Sequence, residues 1–129
     1  MREILFRGKR CKGKRWVIGQ LWHHTKESKE SVIYSDASDQ PIWVIRETVG
    51  QFTGLTDKAG KQIYEGDILR RAYHPNDDVI VEWNDGRFRF RKRTNSKDCG
   101  YESIVYCQQT VCHLAVIGNI HENPELMEE

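Results

Sequence analysis

Short runs in which apolar and polar residues alternate follow one another along most of the chain. Because successive side chains of a β-strand point to opposite faces, this pattern predicts a mainly β protein. One short helical turn is predicted near the end of the chain, with Asn123 as its cap and Pro124 at its first position. The predicted strands are Glu3–Arg7, Arg15–Leu21, Ser31–Tyr34, Ile42–Arg46, Gln51–Leu55, Lys61–Tyr64, Asp67–Tyr73, Val79–Trp83, Arg87–Arg91, Ile104–Cys107 and Ala115–His121.

The clearest alternation lies between Val79 and Arg91 and predicts a β-hairpin. The turn is Asn84-Asp85-Gly86, since an Asp-Gly pair favours a tight connection between two strands. One face of the two strands is apolar and is predicted to meet the core, whereas the other face is basic. The apolar face carries Val79, Val81, Trp83, Phe88 and Phe90, and the basic face carries what we call the arginine ridge, Arg87, Arg89 and Arg91 with Lys92 and Arg93 beyond them.

A second hairpin is predicted between Gln51 and Leu69. Asp57–Gly60 has the composition of a type I turn closed by a residue with positive φ, which glycine adopts without a steric clash. Its arms are Gln51–Leu55 and Lys61–Tyr64. Gly66 and Asp67 then interrupt the second arm, and a new strand begins in another direction. Corners of this kind are typical of small β-barrels.

Length and composition predict one cytoplasmic domain over residues 1–129, with a mass of 15.2 kDa. No apolar run approaches the roughly 20 residues of a membrane span, and Met1–Lys14 lacks the apolar stretch of a signal peptide. We therefore expect no membrane partner. The net charge is only +1, but residues 98–129 contain six acids and no Lys or Arg, which leaves +7 on the first 97 residues. The low net charge argues against a strong general attraction to nucleic acid.

The four cysteines form no CxxC pair and are predicted to be thiols in a reducing compartment. Zinc is the alternative at Cys107, Cys112 and His113, but their spacing is not that of a known ligand set. We therefore predict no metal and no cofactor. The cysteines are Cys11, Cys99, Cys107 and Cys112.

No catalytic motif is present, and the sequence does not predict an enzyme. Glu65 and Asp67 flank Gly66 as a carboxylate pair, which is the nearest approach to acid–base or metal chemistry. Carboxylates two residues apart at a corner more often accept hydrogen bonds from turn N–H groups. We therefore interpret both as structural and predict no catalytic residues.

The arginine ridge is the candidate binding surface, and three interpretations of it remain open. Its guanidinium groups are solvated or are paired with Glu82 or the acidic C-terminal segment; they contact successive phosphates of a nucleic acid; or they bind an acidic protein. Charged side chains on an exposed strand are common, so the first interpretation needs no function.

Three blocks of the chain carry a family resemblance: Met1–Arg7, Thr48–Ile68 and Val116–Leu126. Their sequences are MREILFR, TVGQFTGLTDKAGKQIYEGDI and VIGNIHENPEL, and they resemble the YopX family of phage and prophage proteins. The resemblance implies a small cytosolic protein with an SH3-like barrel core and additional β-hairpins. It implies no established activity and no catalytic residues. The matching positions transfer as fold determinants only, and they are Gly54, Asp57, Gly60, Tyr64, Glu65, Gly66 and Asp67.

We accordingly predict a non-catalytic phage or prophage protein that binds an unknown host or phage protein. The alternative is a nucleic-acid-binding accessory protein that uses the Arg87–Arg93 ridge, with nearby tryptophans for stacking. A small enzyme is the last of the function classes. Separately, self-association into a homo-oligomer is possible, since an exposed strand edge or aromatic patch can drive it.

Overall fold

The protein is described by a computed structural model that covers residues 4–23, 29–35, 40–71, 74–84, 86–92 and 113–127. Of residues 23, 71, 74–77, 84, 92 and 127 only the backbone is described. The chain divides into two compact units, Met1–Phe52 and Thr53–Glu129, which we call unit 1 and unit 2. The boundary between the two units falls inside a strand that continues from one unit into the other. One domain over residues 1–129 stays a prediction.

Unit 1 is built from four antiparallel strands, of which the last continues into unit 2. The strands are β1 (Phe6–Arg10), β2 (Trp16–His23), β3 (Glu30–Tyr34) and β4 (Ile42–Thr56). Each strand pairs with the next, and β1 also pairs with β4, so the four pairings form a closed ring. The apolar face of these strands buries Val17, Ile33 and Val44, with Phe6, Leu21, Ile42 and Val49 packed against them.

β4 is a single long strand, although the sequence predicts separate strands at Ile42–Arg46 and Gln51–Leu55. The pairing of β1 with β4 is irregular between them, because β1 advances from Arg7 to Lys9 while β4 goes from Gly50 to Ile45. The Thr48 hydroxyl accepts a hydrogen bond from the Lys9 N–H at 2.8 Å and donates one to the Ile45 carbonyl at 2.6 Å. The polar residues between the two predicted strands therefore form a bulge within β4 and do not end the strand.

Unit 2 contains the end of β4 and five further strands. They are β5 (Gln62–Tyr64), β6 (Asp67–Arg71), β7 (His74–Asn84), β8 (Arg87–Lys92) and β9 (Leu114–Asn119). β5 pairs with β4, and the other four form a sheet in the order β8-β7-β6-β9. Its core contains Ile63, Leu69, Val79, Val81, Phe90 and Leu114.

Both predicted hairpins are present. The β4–β5 turn contains the Gly60 N–H to Asp57 carbonyl hydrogen bond at 3.0 Å, and Gly60 has a φ of 82°. In the β7–β8 hairpin, Val81 pairs with Phe90 and Trp83 with Phe88. Val81 and Phe90 are buried as predicted, whereas Trp83 is about half exposed.

The predicted helical turn is a 3-10 helix at Pro124–Met127, with Asn123 before it and Pro124 at its first position as predicted. The Asn123 carbonyl accepts the Leu126 N–H, while the Asn123 side-chain oxygen accepts the Asn119 N–H at 3.2 Å. Asn123 thus closes the turn after β9 with its side chain. The predicted strand Ile104–Cys107 lies outside the described residues.

The prediction of a mainly β protein is confirmed, with two antiparallel sheets and no helix other than the 3-10 turn in the described ranges. In that same part of the chain, no helix has the length and apolar character needed to span a bilayer.

Candidate functional site

The arginine ridge of β8 is neutralised in part by Glu82 of β7. Arg89 Nε lies 3.5 Å from one oxygen of Glu82, and Arg91 Nε donates a hydrogen bond to the other at 3.1 Å. Glu82 pairs directly with Arg89 in the strand register, which places the three side chains on one face. Two arginines therefore share one carboxylate, as the paired interpretation of the sequence predicts.

The face that carries the ridge is also more buried than the sequence pattern indicates. The Arg89 side chain is only 16% exposed and that of Arg91 35%. Ile80 pairs with Arg91 on this face, and both Ile80 and its other partner, Ile68, are buried. Arg87 is exposed at the end of the hairpin. Arg93 lies outside the described residues, and the side chain of Lys92 is not described.

A second candidate surface lies on unit 1 and consists of exposed apolar side chains; we call it the aromatic face. Ile18, Tyr34 and Trp43 each neighbour a core residue, Val17, Ile33 and Val44 respectively. Because neighbouring residues of a strand point to opposite faces, the three lie on the face opposite the core. The members are Ile18 (44% exposed), Trp22 (66%), Tyr34 (36%) and Trp43 (52%).

The strand register brings these residues together from three strands. Tyr34 pairs with Gln20, which lies between Ile18 and Trp22 on β2. Val32, two residues before Tyr34 on β3, pairs with Trp43 of β4. Large apolar side chains that are contiguous and exposed are uncommon on monomeric proteins and often mark a contact surface.

The aromatic rings on and beside this surface already contact one another or a cation. Trp22 and Tyr34 pack in a T-shaped arrangement with ring centroids 5.5 Å apart. The Arg7 guanidinium lies 4.9 Å from the centre of the Trp16 ring, a cation–π contact. These contacts hold the rings in place, which lowers the entropy lost when a partner binds.

A cleft of about 360 Å³ lies beside Trp43, and we call it the basic cleft. Its position is fixed by the turn between β1 and β2, where the Cys11 N–H donates to the Trp43 carbonyl at 3.1 Å and the Arg10 N–H to the Arg15 carbonyl at 2.8 Å. The volume falls within the range of small-ligand or peptide-side-chain pockets. The cleft is lined by Arg10, Cys11, Lys12, Glu30, Pro41, Ile42 and Trp43.

The charges of the basic cleft differ from those of the arginine ridge. No ion pair joins Arg10 or Lys12 to another residue within the described ranges, and both side chains are exposed. Cys11 is a thiol whose pKa is raised, first by burial and then by the charge of Glu30. The cleft therefore has two cations available to an anion beside an apolar wall.

The central motif, which contains Gly54, Asp57, Gly60, Tyr64, Glu65, Gly66 and Asp67, forms a turn and a corner. Asp67 accepts the Tyr64 N–H at 2.8 Å, which stabilises the corner, and Gly66 there has a φ of 94°. Gly54 and Gly60 also have positive φ, Tyr64 is buried and Glu65 is half-buried. None of these residues lines the basic cleft. This geometry agrees with the interpretation of Asp67 as a residue that forms a turn hydrogen bond.

The Asp57 carboxylate of this motif accepts three backbone hydrogen bonds. One oxygen accepts the N–H groups of Ala59 and Lys61, at 2.9 and 2.8 Å, and the other accepts the Val116 N–H at 3.0 Å. Burial raises the pKa of Asp57, but these three donors and the charge of Lys61 outweigh it and lower the pKa below its ordinary value.

Within the described ranges, no three His, Cys, Asp or Glu side chains are arranged to hold a metal ion. Cys107 and Cys112 of the zinc alternative lie outside them.

The aromatic face and the basic cleft were not predicted from the sequence. The alternation of Ile18, Gln20 and Trp22 with Val17, Gly19 and Leu21 was a usable signal for the aromatic face.

Comparison with known proteins places the chain in a family. The crystal structure of protein EF1440 from Enterococcus faecalis is similar, with 25% sequence identity and a TM-score of 0.64 over 99% of this chain and 100% of that chain. No curated protein matches. The model of the YopX protein family matches residues 5–128. Because that match covers nearly the whole chain, this protein belongs to the YopX family.

Proposed function

We propose that this protein is a non-catalytic binding module, encoded by a phage or prophage, that contacts a host or phage protein through the aromatic face. The observation that carries the proposal is the cluster of four large apolar side chains exposed by 36 to 66% on one face of unit 1. Aromatic residues are enriched at protein interfaces and supply much of their binding energy. The proposed place of action is the cytoplasm of the bacterial host.

The proposal includes an SH3-like barrel as the core that presents this face. The closed ring of pairings among β1, β2, β3 and β4 supports it, since the strands of a barrel pair with one another in a closed circle. The test is an NMR measurement of contacts between backbone protons of Lys9 and Ile45. Their presence in solution supports the barrel, and their absence contradicts it.

The contacts that the aromatic rings and the arginines already make favour a protein partner over a nucleic acid. Base stacking needs an open aromatic face. The T-shaped Trp22–Tyr34 pair covers a face of one of its two rings, and Arg7 covers one face of Trp16, so fewer ring faces are open to bases. Glu82 also offsets the positive charge of Arg89 and Arg91, and the nucleic-acid alternative requires that charge for phosphate contacts.

The experiment is capture of partners from a lysate of phage-infected host cells by the immobilised protein. Trp22→Ala combined with Trp43→Ala removes the two most exposed rings of the aromatic face and is expected to abolish the enrichment of the partner. Trp83→Ala is the matched control, because Trp83 is 49% exposed on unit 2. Enrichment that survives the double variant, or that Trp83→Ala also abolishes, contradicts the proposal.

The nucleic-acid alternative has its own test. If the arginine ridge binds phosphates, affinity for DNA or RNA falls as salt rises, and Arg87→Ala, Arg89→Ala and Arg91→Ala together weaken it. Glu82→Gln is then expected to strengthen binding, because it removes the carboxylate that Arg89 and Arg91 share. No binding at low salt, or no response to Glu82→Gln, rules out this use of the ridge.

A further inference from the structure

The basic cleft differs from the other charged surfaces because its cations face an apolar wall. Arg10 and Lys12 line it together with Pro41, Ile42 and Trp43. Neither cation makes an ion pair within the described part of the chain. An anionic group that enters the cleft gains charge-assisted hydrogen bonds without displacing an existing acidic partner.

Unit 1 as a whole attracts anions. Residues 1–52 contain ten Lys and Arg against six Asp and Glu, a net charge of +4, whereas residues 53–129 contain ten against thirteen, a net charge of −3. Such a field raises the association rate of an oppositely charged partner. The positive unit is also the one that carries the aromatic face.

We propose that the basic cleft binds a peptide segment of a partner protein in which an Asp or Glu stands beside an apolar residue. The carboxylate is held by Arg10 and Lys12, and the apolar side chain packs on Trp43 and Ile42. This inference rests on the proposed function and specifies the partner's chemistry. Trp43 belongs to both the cleft and the aromatic face, so the rest of the partner continues across that face.

Glu30 distinguishes a peptide from a nucleic acid as the occupant. A nucleic-acid backbone needs a continuous track of cations for its successive phosphates, and the Glu30 carboxylate interrupts such a track. A peptide has only one carboxylate to place and also offers backbone N–H groups, which a carboxylate such as Glu30 accepts. The mixed charge of the cleft therefore fits a peptide.

The experiment is selection from a random-peptide display library on the full-length protein. The same selection is made on the double variant Arg10→Ala with Lys12→Ala. It is also made on the control Lys58→Ala with Arg87→Ala, which removes two exposed cations of unit 2 and gives the same net charge. We expect the protein and the control to enrich peptides with an acid beside an apolar residue. The Kd of an enriched peptide should rise at least about tenfold on the cleft variant.

Cys11 gives a second readout, specific to the cleft. Bound peptide should slow the alkylation of Cys11 by iodoacetamide, measured by mass spectrometry of the digested protein. Because burial raises the pKa of the Cys11 thiol, the reaction is run at about pH 9, where more of the reactive thiolate is present. The peptide should slow alkylation in the control variant as well.

Four results overturn the inference: no enrichment of acid-containing peptides, equal affinity for the cleft variant, unchanged alkylation of Cys11, or oligothymidylate that displaces the peptide and protects Cys11 better. Failure here is distinguishable from failure of the proposed function. If Trp22→Ala abolishes capture of the host partner while Arg10→Ala with Lys12→Ala does not, only the acidic-peptide inference fails.

Discussion

The Asp57 carboxylate accepts backbone hydrogen bonds both from the β4–β5 turn and from a strand outside that turn. Ala59 and Lys61 belong to the turn itself, while Val116 lies on β9 and is 59 residues away. One side chain thus fixes both the hairpin and its position against another strand of unit 2. This explains physically why an acid suits the first turn position better than serine or asparagine, which have one acceptor oxygen.

Asp57→Asn tests that role. The variant places an NH₂ group where a carboxylate oxygen accepts a backbone N–H, so at least one partly buried donor loses its acceptor. We expect a loss of about 1–3 kcal/mol in the free energy of unfolding near neutral pH, measured by denaturant titration with tryptophan fluorescence. Glu47→Gln, at an exposed position, is the control. An equal effect of both substitutions contradicts the role of Asp57.

The same carboxylate predicts a pH dependence of stability. The pKa of Asp57 is lower in the folded protein than the value of about 3.9 expected when it is unfolded. Its ionised form therefore adds stability above about pH 4, and this contribution is lost as the pH falls through the folded pKa. We expect the stability difference between the protein and Asp57→Asn to shrink below about pH 4. A difference that stays constant into strong acid contradicts the assignment.

At the scale of elements, two glycines are needed for different physical reasons, one in the β4–β5 turn and one where β2 lies against the end of β3. Gly60 occupies the turn at a φ of 82°, where an added Cβ meets no other atom within 4 Å. Gly19 on β2 lies against the backbone that ends β3, where an added Cβ overlaps the Tyr34 carbonyl oxygen and lies 2.9 Å from Ser35 Cα. The first position needs a backbone conformation and the second needs space.

We therefore expect Gly19→Ala to destabilise the protein more than Gly60→Ala. Gly60→Ala costs about 1–2 kcal/mol, the penalty of a left-handed residue with a Cβ. Gly19→Ala should cost about 3 kcal/mol or more, because rigid backbone must move. Both values come from denaturant unfolding under the same conditions. If Gly19→Ala is the milder of the two, the close approach of β3 to β2 is not as described.

The sequence was informative where a local signal determines the element. Asp57–Gly60 and Asn84–Gly86 indicated their hairpins, since turn chemistry is local. The prediction of two separate strands in place of β4 was wrong, because the bulge between them depends on the hydrogen bond from the Lys9 N–H to the Thr48 hydroxyl, 39 residues away in the sequence. The aromatic face was missed for the same reason. Trp22, Tyr34 and Trp43 become neighbours only through the register of three strands, and exposure is not encoded in any one of them.

At the scale of the whole molecule, the near-neutral net charge and the exposed rings act in the same direction. The isoelectric point of about 7.7 leaves little repulsion between copies at ordinary pH. The opposite net charges of residues 1–52 and 53–129 add attraction between copies. We therefore expect copies to associate through an unoccupied aromatic face.

We expect the mass measured by light scattering to rise with protein concentration near pH 7.7 and to fall as the pH moves away from it. Trp22→Ser combined with Trp43→Ser should suppress the rise, since it removes apolar contact area without altering charge. Trp83→Ser is the matched control. A mass that stays monomeric at every concentration and pH rules out self-association through this face.

The ring of strand pairings in unit 1 also restricts how a partner attaches. In the described part of the chain, β1, β2 and β3 each pair with a strand on both sides, as does β4. An incoming peptide therefore finds a neighbouring strand already present on each side of these four strands, which disfavours strand addition there, a common mode of peptide recognition. Recognition on unit 1 is then expected to rely on its side chains, such as the rings of the aromatic face and the charged groups of the basic cleft. Substitutions that alter side chains without disturbing the ring should thus change partner choice and leave the fold intact.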